Sequence, residues 1–455
     1  MVINLRQETD ALASWPTGER LRALQRIIPR VQVEAVLAQP GHDRAVCRRL
    51  PGWFMVWFLI ALGLCCRDCY RQLFRWLQPF RPGAVPGRST LCEARQRLGI
   101  APLRGLAEQV IRLLGQPSTP GAFYRGMRTM ALDGFVLDLA DTPANARAFG
   151  RPGSGRAPGA FPQVRLLALC ETGSHVLWRF LLKPLRHGEV SMAPYLQRHL
   201  QADMLLLWDR NFLNYSTVSA VMARGSHLLA RVPSNRVFEP MAILPDGSYL
   251  SKLYCTTADR RHDRNGIWVR IIEYTVDDPG RPGTGERHRL LTTLLDAKLD
   301  PAKTLVCLYH ERWEEELTLD EVKTHQRERP VLRSQTPAGV VQEVYGLLLA
   351  HYLVRVLMQE AAATQDLDPR RLSFTATLKI LRCRLPECPA SQRGCRQWYS
   401  RLVQEIAEEV LEPRRNRINP RVIKRKMSNW PKKRPWHRLS PQPIKPFDQA
   451  IVMRH

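Results

Sequence analysis

The spacing of apolar residues changes character along this chain. Up to about residue 124 it is helical: Ile27, Ile28, Val31 and Leu37 recur at helical turns, an unbroken apolar run fills 52–66, and RDCYRQLFRWLQ returns to an amphipathic pattern. A Pro/Gly-rich turn at 79–87 leads into another helix, which Thr90 and Glu93 would open as a capping box. Strand-like segments then dominate. Strands are expected at 130–138, 164–170, 176–182, 204–208 and 227–232, with helices at about 190–200 and 215–224, giving the order β, β, β, α, β, α, β. Beyond them, Pro245-Asp246-Gly247 is a turn signal, GIWVRIIEYTV reads as a strand and DDPGRPGTGERH as a long loop, which together look like a separate β insertion. A long apolar helix starts at Thr336-Pro337 and runs to about Met358.

These elements predict an α/β protein. The order of strands and helices in the middle matches an RNase H-like domain, whose third carboxylate comes from a later helix. The expected division is a helical N-terminal domain over 1–124, a catalytic core over 125–330 carrying the β-rich insertion at about 234–295, and a helical, basic C-terminal region over 331–455. The apolar run at 52–66 is 15 residues long and closely flanked by Arg48, Arg49 and Arg67. It is shorter than the ~20 residues that span a bilayer, so a buried core helix is expected and no membrane partner.

Two carboxylates occupy matching settings. Asp133 follows a short apolar run, and Asp209 comes directly after the apolar strand that ends at Trp208. Ligands and catalytic groups gather at strand ends in open α/β sheets. Each aspartate also has a plainer reading: Asp133-Gly134 is a common hairpin dipeptide, and Asp209 could cap a helix or turn. Further along, YHERWEEELTLDEVK carries Tyr309, Arg312, Glu316 and Lys323. On one continuous helix, these would fall within roughly 60° of one another. That face would present three phosphate-seeking donors and one hard-metal ligand, a set suited to a phosphodiester beside a divalent cation.

Together these segments resemble the transposases of the insertion-sequence-4 family, a branch of the DDE transposases. The resemblance rests on Tyr309, Arg312, Glu316 and Lys323 at the family's spacing, on Asp133-Gly134 followed by Asp141-Thr142-Pro143, Asn145 and Phe149-Gly150, and on Asp209-Arg210-Asn211-Phe212. It extends to LPGWFMVWFLIALGL and GRSTLCEARQRLG near the start and to the basic stretch PRVIKRKMSNWPKKR. It implies cut-and-paste movement of an insertion sequence by metal-dependent strand cleavage and strand transfer. Asp133, Asp209 and Glu316 would hold two Mg²⁺ ions, with Mn²⁺ able to substitute, and Tyr309, Arg312 and Lys323 would grip phosphates. A homodimer on paired element ends is also implied. A non-transposing RNase H-like nuclease and a DNA-binding descendant without catalysis are the alternatives.

Charge points the same way. Lys and Arg number 68 against 42 Asp and Glu, a formal excess of +26, which implies a polyanionic partner. Double-stranded DNA, as element end and as target, is the expected one. Arg95 and Arg97 lie on the second helix of a pair compatible with a helix-turn-helix reader. The acid-free stretch 414–438 offers Arg414, Arg415, Lys424, Arg425 and Lys426 for backbone contact. In the insertion, Trp268 shares a strand face with Arg270, Ile272 and Tyr274; core packing is its expected role, and stacking on an unpaired base the alternative. The start MVINLRQETDALASWP has no signal-peptide pattern, so export is not expected, and the resemblance implies a bacterial cytoplasmic protein working at the nucleoid.

Overall fold

The computed structural model describes residues 22–39, 50–77, 83–154, 157–279, 281, 284–389, 391–412 and 444–453. Its main strands, in chain order, are β1 (Met127–Leu139), β2 (Gln163–Glu171), β3 (Val176–Pro184), β4 (Met204–Trp208), β5 (His227–Arg231), β6 (Tyr249–Leu253), β7 (Ile267–Val276) and β8 (His288–Thr292). With helices Glu189–Gln197 and Tyr215–Met222 between them, β1 to β5 follow the order expected from periodicity. The protein is a mixed α/β chain built on extensive sheet. Two compact units divide the chain, and β1 contributes to both.

The first unit comprises 1–123, 132–196 and 314–410. Its sheet runs β3, β2 and the later part of β1. The short strand Val331–Leu332 pairs parallel to β1, with Val331 opposite Asp138. The apolar run near residue 60 forms the helix Gly52–Leu64, buried from Phe54 to Leu64. It packs on the helix Pro337–Thr364, which Thr336 caps by accepting from the Gly339 N–H. A Cβ on Gly63 would lie 2.4 Å from the Gly346 carbonyl oxygen, so the two backbones can touch only because both residues are glycine. Pro337–Thr364 is long and apolar enough to cross a membrane, but most of its apolar stretch is buried inside the protein. The expected capping box is not formed: helix Arg88–Leu98 begins three residues earlier, behind Gly87 and not behind Thr90, and no side chain caps it. Leu137, Leu166, Leu319, Val322 and Val344 share this unit's core.

The second unit comprises 124–131, 197–313 and 411–455. Its sheet begins with the first part of β1 and continues through β4, β5, β8, β7 and β6 to the two-residue strand Ala242–Ile243. β4 and β5 are parallel. The expected insertion is thus not a separate sheet: β8 pairs antiparallel with β5, setting Leu290 opposite Arg231. The free edge of β5 would otherwise expose a row of unpaired N–H and C=O groups, which β8 satisfies. The Pro245-Asp246-Gly247 turn is present, and Asp246 fixes it by accepting from Ser248 Oγ at 2.5 Å and from the Ala302 N–H at 2.8 Å. Leu205, Leu207, Ile272, Leu290, Val306 and Tyr309 belong to this unit's core.

Candidate active site

Asp133 sits inside β1, not in the turn that Asp-Gly can signal. At Gly134 the backbone of β2 comes so close that a Cβ would lie 2.7 Å from the Leu166 carbonyl oxygen, an approach that glycine permits. Asp133 itself accepts from the Gly134 N–H at 2.7 Å and is half-buried. The residues after it build a scaffold. Thr142 caps helix Pro143–Phe149 and donates to the Gln335 carbonyl at 2.9 Å. Asn145, fully buried, donates to the carbonyls of Ala140 and Ser334, each at 3.0 Å. The Asp141-to-Gly150 part of the resemblance is therefore a record of packing around the end of β1.

Asp209 directly follows β4 and precedes a 3₁₀ turn, Arg210–Phe212. Its side chain makes no capping hydrogen bond, so the carboxylate is not consumed by the turn it starts. Trp208 and Phe212 are buried on either side, their rings 5.2 Å apart. Asn214 performs the capping, accepting from the Thr217 N–H at 2.9 Å.

The segment from Tyr309 to Lys323 is not one continuous α-helix, and the single-face expectation is corrected. Helix Ala302–Glu311 ends at Arg312, whose N–H turns back to the Tyr309 carbonyl at 3.1 Å. A new helix, Trp313–Asp320, carries the half-buried Glu316, and a π-helical turn, Glu321–Gln326, carries the exposed Lys323. The bend at Arg312 and the wider turn at 321–326 break the 100° rotation on which one shared face depended.

Tyr309 is 6% exposed, and its hydroxyl donates to the Trp208 carbonyl at 3.2 Å. Burial pushes its pKa up to about 12; the nearby Arg312 and Arg231 guanidiniums oppose that rise and the Asp209 carboxylate adds to it. The structure thus gathers Tyr309, Arg312 and Asp209 in the second unit, with the Arg312 guanidinium 5.8 Å from the Tyr309 ring centre. The phenol is not presented as a free surface donor, contrary to expectation. Asp133, Glu316 and Lys323 belong to the first unit.

Sequence reasoning missed what anchors the π-helical turn. Glu321 is buried and forms hydrogen bonds with His175 (3.2 Å), His351 (3.0 Å) and Arg355 Nε (2.9 Å). Gln326 donates to the carbonyls of Gly63 (3.0 Å) and Leu347 (2.8 Å). Both ends of the turn are held inward, and Lys323, Thr324 and His325 are left outward. Only the unusual π turn itself could have pointed to this, and no sequence pattern encodes it.

Other expected contact residues fall unevenly. Arg95 is 5% exposed; it bonds Tyr70 and donates to Ser334 Oγ (3.2 Å) and the Gly339 carbonyl (2.9 Å). It is a packing residue, correcting its expected place on a DNA-reading face, whereas Arg97 is exposed. Trp268 is corrected in the opposite direction: it is 41% exposed, not core, with Lys252 Nζ 4.8 Å from its ring centre. Arg270 is buried, donating to Ser248 Oγ and the Asp300 carbonyl and pairing with Asp246, so it shares no open surface with Trp268. Arg414, Arg415, Lys424, Arg425 and Lys426 lie outside the described residues.

A carboxylate within a strand, another just after one, and a Tyr/Arg/Glu/Lys series on the later helices are the residue types that phosphoryl transfer beside a divalent cation calls for. Residues 124–353 match the family model described as a transposase DDE domain, and residues 18–108 that of the insertion element 4 transposase N-terminal region. The chain belongs to the insertion-sequence-4 family of DDE transposases and is a transposase, an enzyme of DNA strand cleavage and strand transfer. It is 29% identical over 409 residues to the transposase InsG for insertion sequence element IS4 of Escherichia coli K12, covering 88% of this chain and 91% of that protein. A putative transposase InsZ of the same strain is 25% identical over 199 residues, 44% of this chain and 66% of its own length. A piggyBac transposase synaptic complex with hairpin DNA, solved by cryo-electron microscopy, aligns at 13% identity with a TM-score of 0.41, over 84% and 85% of the two chains.

DDE transposase domains use divalent metal ions. The donor chemistry here fits a hard cation, since Asp133, Asp209 and Glu316 offer only carboxylate oxygens and none is fully buried. Among the described residues, no three His, Cys, Asp or Glu side chains gather closely enough to hold an ion.

Proposed function

We propose that this transposase moves its insertion sequence by cut-and-paste: it cleaves DNA at the element's ends and joins the freed 3′-hydroxyls to target DNA. The observation that carries this reading is the DDE match over 124–353, which contains Asp133, Asp209 and Glu316 together with Tyr309, Arg312 and Lys323. Asp133, Asp209 and Glu316 are the residues that would hold Mg²⁺, or Mn²⁺ in its place. When bound, such ions activate the attacking oxygen and stabilise the leaving one.

The protein's own groups supply position and charge. Arg312 and Lys323 hold phosphates next to the scissile bond, an electrostatic grip that also sets the register of the end. Tyr309 acts at one remove, bracing the strand end that carries Asp209. Water attacks the phosphorus and releases a 3′-hydroxyl; that hydroxyl then attacks a target phosphodiester and displaces its 3′-oxygen. The proposal includes an RNase H-like core, supported by the order of β1 to β5 and their helices, and a homodimer acting on paired ends in the bacterial cytoplasm.

The test is cleavage of a duplex carrying the inverted repeat that flanks the gene. Asp133→Asn, Asp209→Asn and Glu316→Gln should each abolish nicking in Mg²⁺ while still binding the duplex, because a ligand is lost but the basic surface is kept. Full cleavage by any of these variants would remove that residue from the site.

A further inference from the structure

We propose that an open cleft beside Lys323 is a second binding site for the sugar-phosphate backbone of the element's DNA, reaching beyond the grip of Arg312 and Lys323. It deepens the transposase reading and rests on it. The cleft, of about 550 Å³, lies wholly within the first unit, between the π-helical turn, the loop that follows it, Arg67 and helix Phe374–Arg384.

Its walls carry Arg67, Lys323, Arg327, Arg329, Lys379 and Arg382 against a single carboxylate, Glu328. That carboxylate is already engaged, 2.9 Å from Arg382 and 3.9 Å from Arg67. The cations come from separate segments that folding brings together, so the cluster is not a basic run in the sequence. Gathering like charges in one concavity opposes folding, and a polyanion relieves that repulsion.

A second observation comes from the cleft's inner wall. Arg327 is only 8% exposed; its Nε donates to the Lys323 carbonyl at 3.2 Å, but its Nη1 has no hydrogen-bond partner among the described residues. Arg382 donates from Nε to the Leu64 carbonyl at 2.6 Å and likewise leaves Nη2 without one. These two Nη atoms are themselves closed to solvent, so both guanidiniums keep their charge just behind the wall without a full set of acceptors, and a phosphate entering the cleft would meet that charge together with the exposed cations. The π-helical turn that carries Lys323 is anchored in advance by Gln326 and by the buried Glu321 cluster, so little backbone ordering is needed on binding.

The test uses the full chain and a duplex bearing the terminal inverted repeat, with binding measured across a range of salt. Lys379 and Arg329 are exposed, and their replacement by alanine should spare folding, which thermal melting checks. Each of Lys379→Ala and Arg329→Ala should lower the slope of log affinity against log salt by about one, and the double variant by about two; Lys379→Arg should restore it. Arg329 also donates to the Arg67 carbonyl at 2.7 Å; if Arg329→Ala melts early, Lys379→Ala decides alone. Wild-type slope and affinity in Lys379→Ala overturn the cleft and leave the transposase reading intact. A wild-type protein with no preference for the inverted repeat over unrelated duplex overturns both.

Discussion

The Tyr309 hydroxyl donates to the main-chain carbonyl of Trp208 at 3.2 Å, one residue before Asp209. The first residue of the helix signature is thus tied to the strand end beside Asp209, one of the carboxylates proposed to hold the metal. Tyr309 is buried, so its phenol braces and does not grip. Tyr309→Phe keeps the ring and removes only the hydroxyl, leaving one buried carbonyl without this donor. A loss of about 1–2 kcal/mol in stability and a lower cleavage rate are expected, with the salt slope of DNA binding unchanged. A slope reduced by about one would instead place the hydroxyl on a phosphate.

Arg312 and Lys323 should behave differently from Tyr309. Arg312→Ala and Lys323→Ala each remove a cation from the proposed grip and should lower the salt slope by about one. Lys323 is exposed, so its replacement should barely alter melting. Arg312 caps the helix Ala302–Glu311 at the bend, and some loss of stability should accompany its loss of affinity. Unchanged slopes in both variants would mean that neither touches DNA.

His310, between these residues, gives a pH dependence of definite sign. Burial lowers its pKa to about 4, helped by His288, Arg231, Arg281 and Arg312 around it. In its neutral form it shares a hydrogen bond with the Tyr274 hydroxyl at 3.1 Å and packs against Phe447. The folded value lies below the unfolded one, near 6.5, so the unfolded chain takes up the proton first as pH falls. Stability should be fully present above about pH 6.5 and decline towards pH 4, by on the order of 3 kcal/mol. Denaturant unfolding at about pH 7.5 and about pH 5 measures this. His310→Gln should flatten the difference, and an equal decline in that variant would assign it to other groups.

The sequence was most readable where periodicity was strong. The apolar run ending at Trp208 marked β4 and, with it, the setting of Asp209. At Asp133 two signals competed, and the strand expected over 130–138 prevails over the Asp-Gly turn; the close approach of β2 at Gly134 is what the sequence does not show. The bend at Arg312 and the π turn after Asp320 were invisible: the residues there are ordinary helix formers, and the turn is held by Glu321 and Gln326 through partners far along the chain. Buried arginines mislead for the same reason. Nothing near Arg95 announces that Ser334 and Gly339 will satisfy it, and nothing near Arg270 announces Asp246 and Asp300. The cleft around Lys323 was equally hidden, its cations being scattered over separate segments.

At Trp268 the structure reverses the expected effect of a truncation. As a core residue, its truncation would cost ~3–5 kcal/mol. The structure instead leaves it 41% exposed at the outer end of β7, opposite Lys252 across the strand pair, with the ammonium over its ring and bound to Asp263 at 2.7 Å. A half-open indole held by a lysine has a free face on which an unpaired base could stack, and stacking of that kind contributes ~1–3 kcal/mol per base. Trp268→Ala should therefore leave melting nearly unchanged and spare first-strand nicking. It should slow the later step, which needs a base drawn out of the duplex, by roughly tenfold or more, and Trp268→Phe should recover part of that rate. Melting curves without DNA, followed by single-turnover cleavage on intact and pre-nicked ends, separate these effects. Equal rates for Trp268→Ala and wild type on both substrates would leave the indole as a surface residue paired only with Lys252.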